Sequence, residues 1–337
     1  MSDISEETIL VTGALGFIGS CFVIQELHKG HKIIGFDNYS YAANEKNLRD
    51  VRYEKNLTLI RGDINDTKAL DRVFQQHLIS KVVHFAAESH VDRSIKAPDI
   101  FIKTNILGTY NLLNLCLKYW ENDKLPKSFK FLHVSTDEVF GELGVDKNEM
   151  FSENTPYNPR SPYSASKAAS DHLVRAWHYT FGLPVIITNC SNNFGPRQHN
   201  EKFIPQIILC ALDNKPIPVY GNGNNIRDWI YVEDHTKGLA LALTKGNVGE
   251  TYLFGGESEI TNIELVEKIT SILDNMHPRK DNTPYLNQVK FVKDRKGHDY
   301  RYSINNSKAQ TLLGFKNTKS FEENLINTIN WYINEYF

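Results

Sequence analysis

The sequence predicts an α/β fold, a doubly wound parallel sheet followed by a smaller C-terminal domain. Three observations predict it. Short apolar, β-branched runs alternate with longer amphipathic stretches through the first half of the chain. A glycine-rich turn separates the first such run from the first helical stretch. After Asn193 the rhythm changes, because Pro205, Pro216, Pro218 and the turn Gly221-Asn222-Gly223 interrupt the alternation.

The elements follow in order. Thr8–Thr12 reads as the first strand and Phe17–His28 as the helix after it. Lys32–Phe36, Leu57–Arg61 and Lys81–Ala86 are the second, third and fourth strands. Ile100–Trp120 reads as one long helix, Phe129–Ser135 as the fifth strand, Tyr163–Phe181 as a helix and Pro184–Asn189 as the strand behind it. Thr261–Leu273 and Phe321–Tyr336 are helical stretches. We expect residues 1–193 to form one domain and 194–337 mainly a second, with the segment 220–250 returning to the first and a ligand cleft between them.

The bulk properties exclude several classes. A net charge of −2 lacks the basic excess of a nucleic-acid binder. No apolar run approaches the roughly 20 residues that span a bilayer. The stretch Met1–Glu7 is polar and acidic, without the basic and apolar regions of a signal peptide, so the expected location is cytoplasmic. Cys21, Cys116, Cys190 and Cys210 are scattered with no Cys-x-x-Cys pair, which points to free thiols and no metal site.

The run Thr12-Gly13-Ala14-Leu15-Gly16-Phe17-Ile18-Gly19 leaves a strand and opens a helix. Glycines there let backbone approach a pyrophosphate, and the helix start offers N–H groups and positive dipole character, the Rossmann arrangement. Asp37 ends the second strand about 20 residues on, where a carboxylate accepts from ribose hydroxyls and repels a 2′-phosphate, favouring NAD over NADP. Asp63, after the third strand, is placed near the adenine edge.

Tyr163 and Lys167 form Tyr-x-x-x-Lys, four apart on one helix face. A neighbouring ammonium is expected to lower the phenol's pKa and make it a usable base. Ser135-Thr136-Asp137-Glu138 closes the fifth strand, at the sheet edge where ligands bind. Two adjacent carboxylates in unlike environments supply both an acid and a base, more than a simple alcohol dehydrogenase needs. A capping pair at the surface is the plainer alternative. Arg227 is either a diphosphate donor or a structural partner of Asp228.

On these residues the chain resembles the extended short-chain dehydrogenase/reductase superfamily, and within it the dTDP-glucose 4,6-dehydratase family. The resemblance runs over nearly the whole chain, through Ala86-Ala87-Glu88-Ser89-His90-Val91-Asp92-Arg93-Ser94-Ile95, Ser135–Gly141, Cys190–Pro196, Arg227–His235 and Asp294–Asp299. Phe140 and Phe194 stand where the family commonly has tyrosine, and Lys296 where it has proline. The segment Asp37–Ala43 also departs from the family's wording.

The resemblance implies a lyase of deoxysugar biosynthesis that keeps NAD tightly bound and regenerates it each turnover. Tyr163, Lys167, Thr136, Asp137 and Glu138 are its implied catalytic residues. Gly13, Gly16, Phe17, Ile18, Gly19, Asp37, Asn38, Asp63, Ile64, Ala86, Ala87, Ser89, Thr104 and Asn193 are implied around NAD, with Tyr163 and Lys167. Ser89, Thr136, Asn192, Lys202, Phe203, Pro218, Tyr220, Arg227, Asn262, Asp294, Arg295 and His298 are implied around dTDP-glucose. It implies a homodimer paired through the helix after Ile100 and the helix carrying Tyr163, with no nucleic-acid or membrane partner. The alternatives are a UDP- or CDP-glucose 4,6-dehydratase, a 4-epimerase, or a non-catalytic NAD-binding protein.

Overall fold

The structure, a computed structural model, describes residues 7–336. Except for Glu7, the stretch read for a signal peptide lies outside the described residues. The N-terminal half runs β1 (Thr8–Thr12), α1 (Phe17–His28), β2 (Lys32–Asp37), β3 (Leu57–Arg61), α2 (Thr67–Gln76), β4 (Lys81–His84), α3 (Val91–Lys96), α4 (Pro98–Phe101), α5 (Thr109–Glu121), β5 (Lys130–Thr136), α6 (Pro162–Phe181) and β6 (Val185–Cys190). The remainder runs β7 (Asn192–Phe194), α7 (Phe203–Leu212), β8 (Ile217–Tyr220), β9 (Ile226–Tyr231), α8 (Val232–Lys245), β10 (Thr251–Phe254), β11 (Glu259–Thr261), α9 (Asn262–Met276), β12 (Val289–Val292) and α10 (Phe321–Tyr336).

Seven strands form one parallel sheet in the order β3-β2-β1-β4-β5-β6-β10, so the expected doubly wound fold is observed. Both faces are covered, which explains the nearly continuous apolar strands. Ile9 and Val11 pack with Phe22 and Val23 of α1 and Leu239 of α8. Leu10 turns to the other face with Leu70 of α2, Leu112 of α5 and Val174 of α6. A separate apolar cluster joins α7, α9 and α10 through Ile207, Leu265 and Ile329. It covers the three-stranded sheet β11-β9-β7 and the pair β12-β8.

Several elements differ from the sequence reading. The stretch read as one long helix contains a widened π-helical segment, Ile102–Gly108, between α4 and α5. Asn105 in it is fully inward: its side chain bonds the N–H and C=O of Glu88 and the Ser166 hydroxyl. The wider turn aims that amide into the core. β4 stops at His84 rather than Ala86, because its partner β1 ends at Thr12.

Helix α7 begins at Phe203 although Pro205 reads as a breaker. Pro205 sits in the first turn, where an N–H has no intrahelical acceptor, so proline costs little. Helix α8 packs back on α1, with the Thr236 hydroxyl donating to Gln25 Oε1 at 3.0 Å, and β10 completes the main sheet.

Candidate active site

The first cavity opens where the strand order reverses, between β1 and β4. Gly13 turns the chain with φ +72°, and a Cβ there would sit 2.8 Å from Ala86 N. A Cβ on Gly19 would sit 2.1 Å from Gly13 O. Gly16 caps α1 with no side-chain acceptor, so the first-turn N–H groups remain for a ligand. Phe17, Ile18, Asn38 and Ile64 line the same cavity, as do Ala86, Ala87, Ser89, Thr104 and Asn193.

Asp37 lines it too, its carboxylate oriented by Leu15 N at 3.0 Å and Tyr39 N at 2.9 Å. Asp63 does not line the cavity; its carboxylate accepts from Asn65 N at 2.8 Å and from Asn38 Nδ2 at 3.4 Å. The close backbone at Gly19 carries a prediction. Gly19→Ala is expected to destabilise the fold by about 1–3 kcal/mol, the usual range for overpacking against fixed atoms. It is also expected to empty the glycine turn of dinucleotide. Thermal unfolding and the nucleotide released on denaturation measure both.

The catalytic candidates meet at the inner end of this cavity, which Thr136, Asp137, Glu138, Tyr163 and Lys167 all line. Thr136 ends β5 and starts a 3₁₀ turn, Asp137–Phe140, by accepting from Glu138 N at 3.3 Å. Ser161 caps α6 through a reciprocal box with Ser164, and Pro162 at N1 sets the entry, which seats Tyr163 in the first turn.

The electrostatics separate the two carboxylates. Asp137 is buried, and burial, then Glu138 and Asp228, hold its carboxyl well above the usual range. Glu138 is only part-buried at the surface of the cavity. Burial raises it as well, and Arg227, Lys202 and Arg295 offset only part of that rise. Burial thus lifts both carboxyls, Asp137 well above the usual range and Glu138 above it with three cations opposing the rise.

The expected lowering of the Tyr163 phenol by Lys167 is not observed. Burial and the nearby Glu138 push the phenol well above its ordinary value, and the Thr136 hydroxyl opposes them. The Lys167 ammonium instead donates to Val134 O at 2.8 Å. Four residues of spacing put both side chains in the cavity wall, and the strand carbonyl takes one of the three donors of the ammonium.

A second cavity adjoins the first, and Ser89, Glu138, Asn192, Asn193 and Lys202 line both. Phe203, Tyr220, Arg227, Asn262, Arg295 and His298 line the second alone. Arg227 donates to the carbonyls of Ile226 and Asp299 at 2.7 and 2.8 Å. Asp228, on the opposite face of the strand, holds Gly256 N and Ser258 N, so the two do not pair. Arg295 Nε lies 2.8 Å from Asp92 Oδ1, and Lys202 Nζ donates to Ser89 O at 2.9 Å.

Pro218 and Asp294 lie outside the lining. Pro218 faces Lys290 across the β8–β12 pair, and Asp294 holds the His298 ring at 2.7 Å. Asp92, Trp229 and Tyr302 line the second cavity and were missed. Asp92 and Trp229 lie inside motifs quoted for the resemblance, which was the available signal; Tyr302 lies beyond them.

The family description GDP-mannose 4,6 dehydratase matches residues 10–328. A dTDP-glucose 4,6-dehydratase of Xanthomonas campestris pv. campestris is 48% identical over 328 residues, covering 97% of this chain and 93% of that one. The crystal structure of DesIV, a dTDP-glucose 4,6-dehydratase from Streptomyces venezuelae with NAD and TYD bound, superposes with a TM-score of 0.88 at 41% identity, covering 97% of each chain. That of the dTDP-glucose 4,6-dehydratase from Bacillus anthracis str. Ames in complex with NAD superposes at 0.86 with 40% identity, covering 98% of each. With its glycine turn, its Tyr163–Lys167 helix and its unlike carboxylate pair at the meeting of two cavities, the chain belongs to the dTDP-glucose 4,6-dehydratase family.

Proposed function

We propose that this chain dehydrates dTDP-glucose to dTDP-4-keto-6-deoxyglucose, using NAD that stays bound and is regenerated each turnover. The observation that carries the reading is the pair Asp137 and Glu138, adjacent carboxyls in unlike surroundings, one buried with its pKa pushed well up and the other at the cavity surface with three cations opposing its rise, beside Tyr163 where the cavities join. A 4-epimerase oxidises C4 as well, but needs no such pair for elimination.

The first cavity fits NAD. A Cβ would fill the cradle at Gly13 and Gly19, and Asp37 offers a carboxylate at the end of β2. The Gly13–Gly19 turn and the start of α1 would hold the pyrophosphate, Asp37 the adenosine ribose, and Lys167 the nicotinamide ribose. When bound, NAD supplies the hydride acceptor for C4 and the hydride donor for C6.

The chain's own residues move the protons. Tyr163 takes the proton of the C4 hydroxyl as the phenolate, which the Thr136 hydroxyl favours against the upward push of burial, and Thr136 hydrogen-bonds the same oxygen. The resulting 4-ketone acidifies the C5 hydrogen, and Glu138 removes it. Asp137 gives its proton to the departing C6 hydroxyl, and water leaves. A proton then returns to C5 from Glu138, and the proton that Tyr163 took from the C4 hydroxyl replaces, through solvent, the one that Asp137 gave to the departing water, so protons and electrons balance over the cycle. Arg227, Arg295, Lys202 and Asn192 hold the diphosphate and sugar. Paired donors of that kind suit a doubly charged diphosphate.

Residues 1–193 would form the NAD domain, and 194–337 mainly the sugar-nucleotide domain, with the segment 220–250 belonging to the first. The four free thiols suit a reducing cytoplasm. Among the described residues, no helix is long and apolar enough to cross a membrane.

The chain would work as a homodimer. Ile100, Ile102, Leu107 and Tyr110 are exposed along α4, the π segment and α5, and Phe181 is exposed at the end of α6. Such an apolar stripe suits a helix-to-helix interface. Leu107→Asp is expected to yield a folded monomer in sedimentation where the parent protein sediments as a dimer.

Incubation with dTDP-glucose, UDP-glucose and CDP-glucose separately, with products weighed by mass spectrometry, tests the reaction. Loss of one water from dTDP-glucose without added NAD is the expected result. Turnover of UDP- or CDP-glucose instead would move the base assignment, and no dehydration of any of them would overturn the reading.

A further inference from the structure

Beneath the catalytic turn lies a group of charged and polar side chains that the steps above do not use. Asp171 follows Lys167 by four residues on α6, and none of its side chain reaches solvent. Its Oδ2 accepts from the Ser135 hydroxyl at 2.8 Å, the Tyr157 hydroxyl at 2.8 Å and the Asn189 amide at 3.3 Å. Its Oδ1 lies 3.1 Å from His133 Nε2. A carboxylate taken wholly out of water is costly unless hydrogen bonds and opposite charge compensate.

Two features connect this carboxylate to the chemistry. Lys167, one helical turn away, is buried with its Nζ fixed on Val134 O. Burial lowers the Lys167 pKa, and Asp171 is the largest influence acting the other way. Ser135, in turn, directly precedes Thr136, and the Asn189 amide that bonds Asp171 also donates to Thr136 O at 3.0 Å. One carboxylate therefore ties the strand end presenting Thr136, Asp137 and Glu138 to the helix presenting Tyr163 and Lys167.

We propose that Asp171 is a positioning residue for the C4 oxidation, its buried carboxylate serving as countercharge to Lys167 one helical turn away and locking the ends of β5 and β6 against α6. This rests on the dehydratase reading of the site.

The remaining groups around the pair leave Lys167 as the one that titrates. His133 on β5 is lowered by burial to about 4, and His84 on β4 is held well below its usual value by burial. Burial pushes up the Cys190 thiol on β6, the Tyr163 phenol and the Tyr157 phenol before α6. Arg175 on α6 donates to the Tyr157 hydroxyl at 2.9 Å. Burial works to raise Asp171 itself, but His133, Lys167 and Tyr157 hold it below the ordinary range. Removing its charge makes the Lys167 ammonium less favourable. Lys167 then loses its proton at lower pH, and the alkaline limb of kcat moves down.

The test compares wild type with Asp171→Asn, and with Asp171→Ser, which leaves room for water. Kinetics are measured across pH, with NAD content and circular dichroism as controls. A fall in kcat of about tenfold or more is expected, as for a misplaced reacting group. KM should change by less than about twofold, and the alkaline limb should fall by about one pH unit. A wild-type alkaline limb in a folded, NAD-loaded variant overturns the proposal, as does a change confined to KM.

A measurement on the wild-type protein needs no Asp171 variant. With isotope-labelled lysine, the Lys167 resonance is identified by its absence in Lys167→Arg. It is expected to be an ammonium at neutral pH, and a neutral amine overturns the proposal. Failure of wild type to dehydrate any sugar nucleotide overturns the function reading alone, because the lysine titration is read without turnover.

Discussion

Glu138→Gln is expected to lower turnover about 10²–10⁴-fold, the span for losing a positioned general base. The amide keeps the size of the carboxylate but cannot take the C5 proton. C4 chemistry precedes that step and does not use Glu138, so substrate binding and loss of the C4 hydrogen should survive. Water release should not. The product mass and uptake of solvent deuterium at C5 distinguish the two. A variant that released water at the wild-type rate would remove Glu138 from the mechanism.

The same residue sets an expected pH dependence. Burial raises Glu138 above an ordinary glutamate, and Arg227, Lys202 and Arg295 only offset it. A base must be unprotonated, so activity is lost as pH falls through this raised pKa. The acid limb of kcat should therefore begin at higher pH than for a solvated glutamate, and it should be absent from the residual rate of Glu138→Gln.

Tyr163→Phe is expected to cost a similar factor, again about 10²–10⁴-fold, but at an earlier step. The phenol is buried, so a phenylalanine fills the same space while losing only the hydroxyl. The variant should fold and retain NAD. It should remove neither the C4 hydrogen nor water, whereas Glu138→Gln blocks only the second. Deuterium placed at C4 of the substrate reads the difference. Loss of that label at the wild-type rate in Tyr163→Phe would transfer the base role to another group.

Much of the site was legible because its residues cluster in short segments tied to strand ends. The glycine turn follows β1, Asp37 ends β2, Ala86 and Ala87 follow β4, and Thr136 ends β5. In a parallel sheet all these ends share one edge, so strand recognition alone brings them together. The residues of the second cavity come from separate loops and from β9. Arg227, Arg295 and Asp92 meet only because the C-terminal elements fold back over α3, which no periodicity encodes.

By itself the sequence determined the alternation of strands and helices, the parallel sheet, the glycine turn and the catalytic segments. Each is a local pattern, set by side-chain period, backbone freedom at glycine or short spacing. Tertiary structure alone decided the direction in which each pKa moves. It set the Lys167 ammonium on the Val134 carbonyl, buried Asp137 more deeply than Glu138, and surrounded Asp171 with donors from three other segments. A pKa depends on desolvation and on charges a few ångströms away, and those neighbours come from distant parts of the chain.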